Sequence, residues 1–193
     1  MIFQNEIILN MRQLLIRIPD FEDLKTLKLF EEFESLKKQD FLTKEQFLKI
    51  LNWKSPRPLN YYRANTESEI EEITKLAFSI ENDLLKLHIL TALKGVSFPA
   101  ASAILMFYNP NKYPVLDIRV WRQLYVAKLV DNNERGQNFS LNDCEKYFHV
   151  VRSLASELNI TARQVEKRLF DYDRETQIGN LYRSNVTKVK APK

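Results

Sequence analysis

The stretch LKGVSFPAASAIL, residues 93–105, contains Gly95, the first of only three glycines in a chain of 193 residues. Glycine is needed where the backbone takes a positive φ or lies very close to another group. Helix-like segments, LHILTAL before it and FPAASAILMFY after it, flank this glycine. The pattern predicts a helix–hairpin–helix, in which a tight turn joins two helices. An ordinary helix end closed by a glycine is the alternative.

Hydrophobic residues recur with helical spacing along most of the chain, and no segment shows the alternation typical of a strand. The segment WKSPRPLNYYRAN, residues 53–65, contains two prolines and is predicted to be a loop. The sequence therefore predicts an all-α fold of about nine helices. One apolar stripe consists of Leu24, Leu27, Phe30 and Phe33, and the helix-capping candidates are Thr43 with Gln46, Thr66 or Ser68, Ser140 with Asp143, and Thr161 with Gln164.

Composition excludes several classes of protein. Hydrophobic residues make up 45% and charged residues 28% of the chain, as in an ordinary globular domain. No apolar run reaches the ~20 residues that span a bilayer. The single cysteine, Cys144, excludes an internal disulfide and a multi-cysteine zinc site, and no base stands beside it. We expect a cytoplasmic monomer without membrane contact, forming one compact unit over residues 1–193 with a loosely ordered basic tail at 180–193.

The charges are unevenly distributed along the chain. The net charge of +4 and the isoelectric point near 9.0 are weak indications of a nucleic-acid partner. Residues 53–63 carry Lys54, Arg57 and Arg63 and no acidic residue. In the predicted hairpin, the backbone amides and the N-terminus of the second helix suit an anion such as a DNA phosphate, and Lys94 adds a positive charge.

The order of motifs after Gly95 indicates a class of protein more specifically than the hairpin alone does. NPNKYPV follows the second helix, and LDIRVW then places Asp117 at a helix N-cap, 22 positions after Gly95. Pro114 precedes this motif and Trp121 follows four residues after the aspartate. Residues 82–129 thereby resemble the helix–hairpin–helix DNA glycosylase superfamily, which includes endonuclease III and the 3-methyladenine and 8-oxoguanine glycosylases.

The resemblance implies a DNA N-glycosylase, a hydrolase of base-excision repair with two helical lobes and a cleft between them. Asp117 would be its catalytic carboxylate, which stabilises the positive charge that grows on the deoxyribose. A K⁺ or Na⁺ ion would bind the backbone carbonyls of Thr91, Leu93 and Val96, and no other cofactor is expected. The DNA-binding residues would be Lys94, Gly95, Val96, Ser97, Phe98 and Arg119.

A base in duplex DNA must be flipped out of the helix before its glycosidic bond can be reached. The loop at residues 53–65 offers side chains that would stack on the base or fill the gap it leaves: Trp53, Arg57, Tyr61 and Tyr62. Each of them could equally be packed in the core.

The chain departs from the superfamily pattern at three positions. Ser97 stands in place of the second hairpin glycine, and Lys94 in place of the preceding proline. Bifunctional members carry a nucleophilic lysine at the position of Pro99, so lyase activity is not expected by this route, and Lys86 and Lys94 are the nearby amines. The expected enzyme is therefore monofunctional. The alternatives are a non-catalytic DNA-binding module that keeps the hairpin, and a helical protein without a DNA partner.

Overall fold

The computed structural model describes residues 2–178, and this part of the chain contains ten α-helices, one 3₁₀ helix and no strand. The predicted all-α class is thereby confirmed. No described helix is long and apolar enough to cross a membrane. The predicted basic tail at 180–193 lies outside the described residues. The helices are α1 (Ile2–Arg17), α2 (Leu24–Glu32), the 3₁₀ helix (Glu34–Lys38), α3 (Lys44–Lys54), α4 (Leu59–Arg63), α5 (Glu67–Ser79), α6 (Asp83–Leu90), α7 (Phe98–Tyr108), α8 (Ile118–Val126), α9 (Leu141–Leu158) and α10 (Ala162–Thr176).

Four helices begin at the capping residues that the sequence indicates. In each, the hydroxyl of the N-cap accepts a hydrogen bond from the N–H three residues later, whose own side chain accepts one from the N-cap N–H. Such a cap stabilises a helix by about 1 kcal/mol. For α5 the cap is Thr66 rather than Ser68. The four pairs are Thr43–Gln46, Thr66–Glu69, Ser140–Asp143 and Thr161–Gln164.

Two segments differ from the sequence-based expectation. The predicted loop at 53–65 contains the short helix α4, because Pro58 stands at its N-cap, where a missing N–H breaks no helical hydrogen bond. The predicted stripe from Leu24 to Phe33 is not one continuous buried face. Helix α2 ends at Glu32 and a 3₁₀ helix follows, so that Phe33 is buried whereas Leu24 is 76% exposed.

Helix α7 is the most buried helix of the fold. Eight of its eleven residues, from Ala100 to Phe107, are buried. Its first buried turn contains three alanines and Ser102, and such small side chains allow α7 to pack closely against α3 and α6. The Ser102 Oγ accepts a hydrogen bond of 2.8 Å from the N–H of Leu116. This bond ties the segment that leads into α8 to the central helix.

Most of the helices pack in two sets, α3 to α7 and α1 with α8, α9 and α10, while α2 contacts the 3₁₀ helix, which in turn contacts α7. In the second set, Trp121 of α8 is fully buried and lies against Tyr147 of α9. Its indole N–H donates to the carbonyl of Asn133 at 2.8 Å. The buried side chains of both sets form one continuous hydrophobic core, and α6 contacts α9 where the sets meet.

The turn at residues 91–97, here called the Gly95 turn, joins α6 to α7 and lies against α4. Gly95 has φ +84°, and a Cβ on it would stand 2.7 Å from the Cβ of Tyr61. The buried side chain of Asn65 holds the turn from the other side, because its Oδ1 accepts from the N–H of Lys94 at 2.7 Å and its Nδ2 donates to the Lys94 carbonyl at 3.1 Å. The predicted positive φ is confirmed, and close approach to α4 is a second reason for glycine.

Gly95→Ala is expected to lower the free energy of unfolding by about 2 kcal/mol or more, since φ is unfavourable for alanine and the new methyl group meets Tyr61. Denaturant unfolding followed by circular dichroism measures the change. The matched control is Asn159→Gly, because Asn159 ends α9 with φ 52° and glycine is favoured there. Equal stability of Gly95→Ala and the wild type would contradict the close packing of this turn.

Candidate functional site

Asp117 is held at the N-cap of α8 by the segment that precedes it. Val115 and Leu116 are buried, and the hydroxyl of Tyr147 donates a hydrogen bond of 2.7 Å to the Val115 carbonyl. The Oδ1 of Asp117 accepts from the N–H of Arg119 at 3.0 Å, as the sequence predicts for an N-cap. The carboxylate therefore lies at the positive end of the helix dipole of α8.

The second oxygen of this carboxylate has a partner on another helix. Lys54, the last residue of α3, places its Nζ 2.7 Å from the Asp117 Oδ2. The two side chains are only 14% and 18% exposed. A backbone amide and an ammonium group thus contact the two oxygens of one carboxylate, and both place positive charge against it.

The Asp117–Lys54 pair lies in the wall of a pocket of about 360 Å³, here called the Asp117 pocket. The start of α7 contributes Ser97 and Pro99 to the same wall, and the loop that contains Gly136 closes another side. The structure therefore brings together Asp117 and the end of the Gly95 turn. A pocket of this volume lies within the range of small-molecule sites in proteins.

A second pocket, of about 450 Å³, also has Asp117 and Lys54 in its lining. Its other side is formed by α10, where Glu166 is buried against the guanidinium of Arg163. Burial raises the pKa of Glu166, although the positive charges of Arg163 and Lys54 partly offset that effect. Arg163 also donates to Glu22 at 2.8 Å. A network of charges thus lies behind the Asp117 pocket.

The predicted DNA-binding residues of the Gly95 turn differ in exposure. Gly95 and Ser97 are exposed, Phe98 is half-buried and Val96 is buried. Lys94 is exposed, and its Nζ lies 3.1 Å from the Ala64 carbonyl and 3.1 Å from a Glu69 carboxylate oxygen. Ser97 is the N-cap of α7, but its side chain makes no capping hydrogen bond.

The candidates for base stacking divide into two groups. Tyr61 is 67% exposed, and Arg57 is exposed beside the Asp117 pocket. Tyr62 is 1% exposed with its ring edge-on to Phe47, so it belongs to the core. Trp53 is half-buried, because its ring packs on that of Phe107 and its indole N–H donates to Thr26 at 2.9 Å. Tyr62 therefore supports the site from within, whereas Trp53 lines the second pocket beside Lys54 and Asp117.

The guanidinium of Arg119, predicted to contact DNA, faces α10. It donates to Asp173 at 3.0 Å and to Gln177 at 3.0 Å, and it lies over the ring of Phe170. Arg119 therefore joins α8 to α10 in this conformation.

The carbonyls predicted to hold a monovalent ion belong to the Gly95 turn. The Leu93 carbonyl accepts a hydrogen bond of 3.1 Å from the N–H of Val96, and this bond closes the turn. Thr91 is the C-cap of α6. Among the described residues, no three His, Cys, Asp or Glu side chains come together as a metal site.

Lys86, a predicted substitute amine, is buried in α6 and donates to the Phe78 carbonyl at 3.2 Å. Burial lowers the pKa of Lys86. It is not part of the lining of the Asp117 pocket. Of the two amines that the sequence offered near the hairpin, neither reaches this pocket.

Sequence reasoning did not assign a role to Lys54, Asn65 or Glu166. Lys54 had a signal, because it belongs to the acid-free segment at 53–63. Asn65 had none, since its partner Lys94 is distant in the sequence. Glu166 pairs with Arg163 three residues before it, but nothing in the sequence indicates that this pair lies near Asp117.

Comparison with known proteins finds no match of any kind. No family model, no curated protein and no solved structure matches this chain.

Cys144 is buried in α9, and burial raises the pKa of its thiol to about 12. At about pH 8 the folded protein therefore holds a neutral, inaccessible thiol. We expect no labelling of the native chain by a disulfide reagent such as DTNB, and one equivalent after unfolding in concentrated guanidinium chloride. Rapid labelling of the folded protein would restore Cys144 as a candidate nucleophile.

Proposed function

We propose that this protein binds DNA and hydrolyses the N-glycosidic bond of a damaged or modified base, as in base-excision repair. One observation carries the proposal: Asp117 and Ser97, the last residue of the Gly95 turn, line one pocket although they are 20 positions apart in the sequence. In the proposed fold, the two sets of helices would be the two lobes of a glycosylase, and the Asp117 pocket would be its cleft.

The chemistry of base release requires little beyond a well-placed negative charge. As the bond between base and sugar breaks, positive charge develops on the deoxyribose, and a carboxylate nearby stabilises it. Asp117 is suited to this role because α8 fixes its position and the pocket admits a flipped nucleotide to it. Its contact with Lys54 would loosen as the sugar enters.

The Gly95 turn would bind a phosphate of the DNA backbone. The N-terminus of α7 supplies backbone N–H groups without a side-chain cap, and the exposed Ser97 directly precedes them. Lys94 adds charge, and its ion pair with Glu69 is exposed and therefore weak enough for a phosphate to displace. Tyr61, exposed on α4 beside this turn, is the candidate to fill the gap left by a flipped base.

A second candidate function is a non-catalytic DNA-binding module. The observation that favours it is the Lys54–Asp117 pair, because the ammonium group neutralises the carboxylate on which catalysis would depend. In that case the Gly95 turn would bind DNA and Asp117 would serve only as a helix cap.

Asp117→Asn is expected to decrease base release by about 10²–10³-fold, because a neutral amide does not stabilise the charge on the sugar. The fold should survive, since asparagine also caps helices. A panel of duplex oligonucleotides, each with one modified base, is incubated with the protein, and the free base is measured.

The matched control for this experiment is Asp40→Asn, which removes a carboxylate that is also paired with a lysine, Lys75, but lines neither of the two pockets. It should leave base release within about twofold of the wild type, as distant sites act independently. Wild-type activity in Asp117→Asn would show that the Asp117 carboxylate serves only as a helix cap. Binding of an abasic analogue without any base release by the wild type would favour the non-catalytic module.

Lys94→Ala is expected to weaken DNA binding equally for all sequences and to reduce the slope of log K against log salt concentration by about one. Fluorescence anisotropy with a labelled duplex at several salt concentrations measures both quantities. Lys75→Ala is the control, because Lys75 on α5 is also an exposed lysine that pairs with a carboxylate, that of Asp40. An unchanged slope for Lys94→Ala would exclude this lysine as a phosphate contact.

A further inference from the structure

We propose that the basic segment 179–193 docks, within its own chain, in an apolar groove between α2 and the start of α10, with Tyr182 as its aromatic anchor. The groove is a cavity of about 590 Å³, here called the α2 groove. The segment lies outside the described residues, and its composition and its attachment to α10 fit it to the groove. The proposal does not depend on DNA binding or base release.

The α2 groove exposes apolar surface that the described part of the chain does not cover. Helix α2 buries only Thr26 of its nine residues. Leu27 is 42% exposed, and Phe21, just before α2, is 62% exposed. Six apolar residues line the groove: Phe21, Leu27, Phe30, Phe33, Phe107 and Pro110. A concave patch of this kind is typical of a binding surface.

The charges of the groove favour a basic occupant. Its lining contains four carboxylates and two cations. The cations, Arg163 and Lys167, each pair with a carboxylate of the fold. Two of the four carboxylates, Glu31 and Glu34, are exposed. Residues 179–193 contain four basic residues and no acidic one, so the segment complements the groove in charge.

The end of α10 places the segment within reach of the groove. Lys167 lines the groove nine positions before Thr176, where α10 ends, so about 14 Å of helix separates the two residues. An extended chain covers about 3.4 Å per residue, and the four steps from Ile178 to Tyr182 therefore span a similar distance. Attachment to α10 also raises the effective concentration of the segment, so that a weak contact suffices.

The α2 groove is continuous with the second pocket, because Phe21, Arg163 and Lys167 line both cavities. A segment that runs back along α10 from Thr176 passes this pocket before it reaches the groove. Docking would therefore narrow the access to Asp117 from the side of α10.

The test uses the full chain, whose one cysteine, Cys144, is buried and does not compete. Leu27→Cys places a thiol in the groove, and Ser184→Cys places a second thiol in the segment while Tyr182 stays in place. Mild oxidation with copper phenanthroline should give a disulfide within one chain, identified by peptide mapping and by monomer mobility on a non-reducing gel. The matched control combines Ser184→Cys with Leu76→Cys, at an exposed leucine of α5, and should react at least about tenfold more slowly.

Two further changes in the Leu27→Cys/Ser184→Cys chain test the anchor and the charges. Tyr182→Ala, and separately Glu31→Lys with Glu34→Lys, should each slow the disulfide to the rate of the Leu76→Cys control. Glu81→Lys with Glu134→Lys changes the net charge equally at exposed positions outside the groove and should leave the rate unchanged.

The possible outcomes separate the occupants of the groove. A disulfide that joins two chains would assign the groove to the segment of a second copy and overturn docking within one chain. Equal rates for Leu27→Cys and Leu76→Cys would overturn the proposal, because the segment would then have no preferred position. A rate that neither Tyr182→Ala nor the charge reversal at 31 and 34 changes would overturn it as well.

Discussion

The close approach between Gly95 and α4 is the constraint on which the candidate site depends. No side chain fits between the Gly95 backbone and Tyr61, and Asn65 bonds both backbone groups of Lys94. The turn therefore has one position relative to α4. Since α7 begins directly after the turn, this contact also sets where the N-terminus of α7 and its Ser97 cap meet the Asp117 pocket.

Helix α7 connects the Gly95 turn, through the core, to the segment that precedes Asp117. Its small side chains let neighbouring helices pack closely, and Ser102 accepts the hydrogen bond that anchors Leu116. An alanine at 102 would lose this bond, because it has no hydroxyl to accept it. The position of Asp117 is thus fixed by a buried hydrogen bond at the preceding residue and does not depend on a flexible loop.

The charged side chains around Asp117 form a connected group. Lys54 faces it directly, and Glu166 with Arg163 lies behind it in α10. In a half-buried setting such charges interact more strongly than at the surface, because water screens them less.

Features that depend on neighbours three or four residues away could be predicted from the sequence alone. These include the all-α class, the capped starts of α3, α9 and α10, the positive φ of Gly95 and the N-cap position of Asp117. Their hydrogen bonds close within one helical turn or one tight turn, so the local residue types suffice. The sequence did not separate exposed Tyr61 from buried Tyr62, because both lie in one short segment whose orientation depends on its packing against α3 and the Gly95 turn. Only the tertiary structure placed Lys54 against Asp117, 63 residues away, since contacts across that distance depend on how whole helices pack.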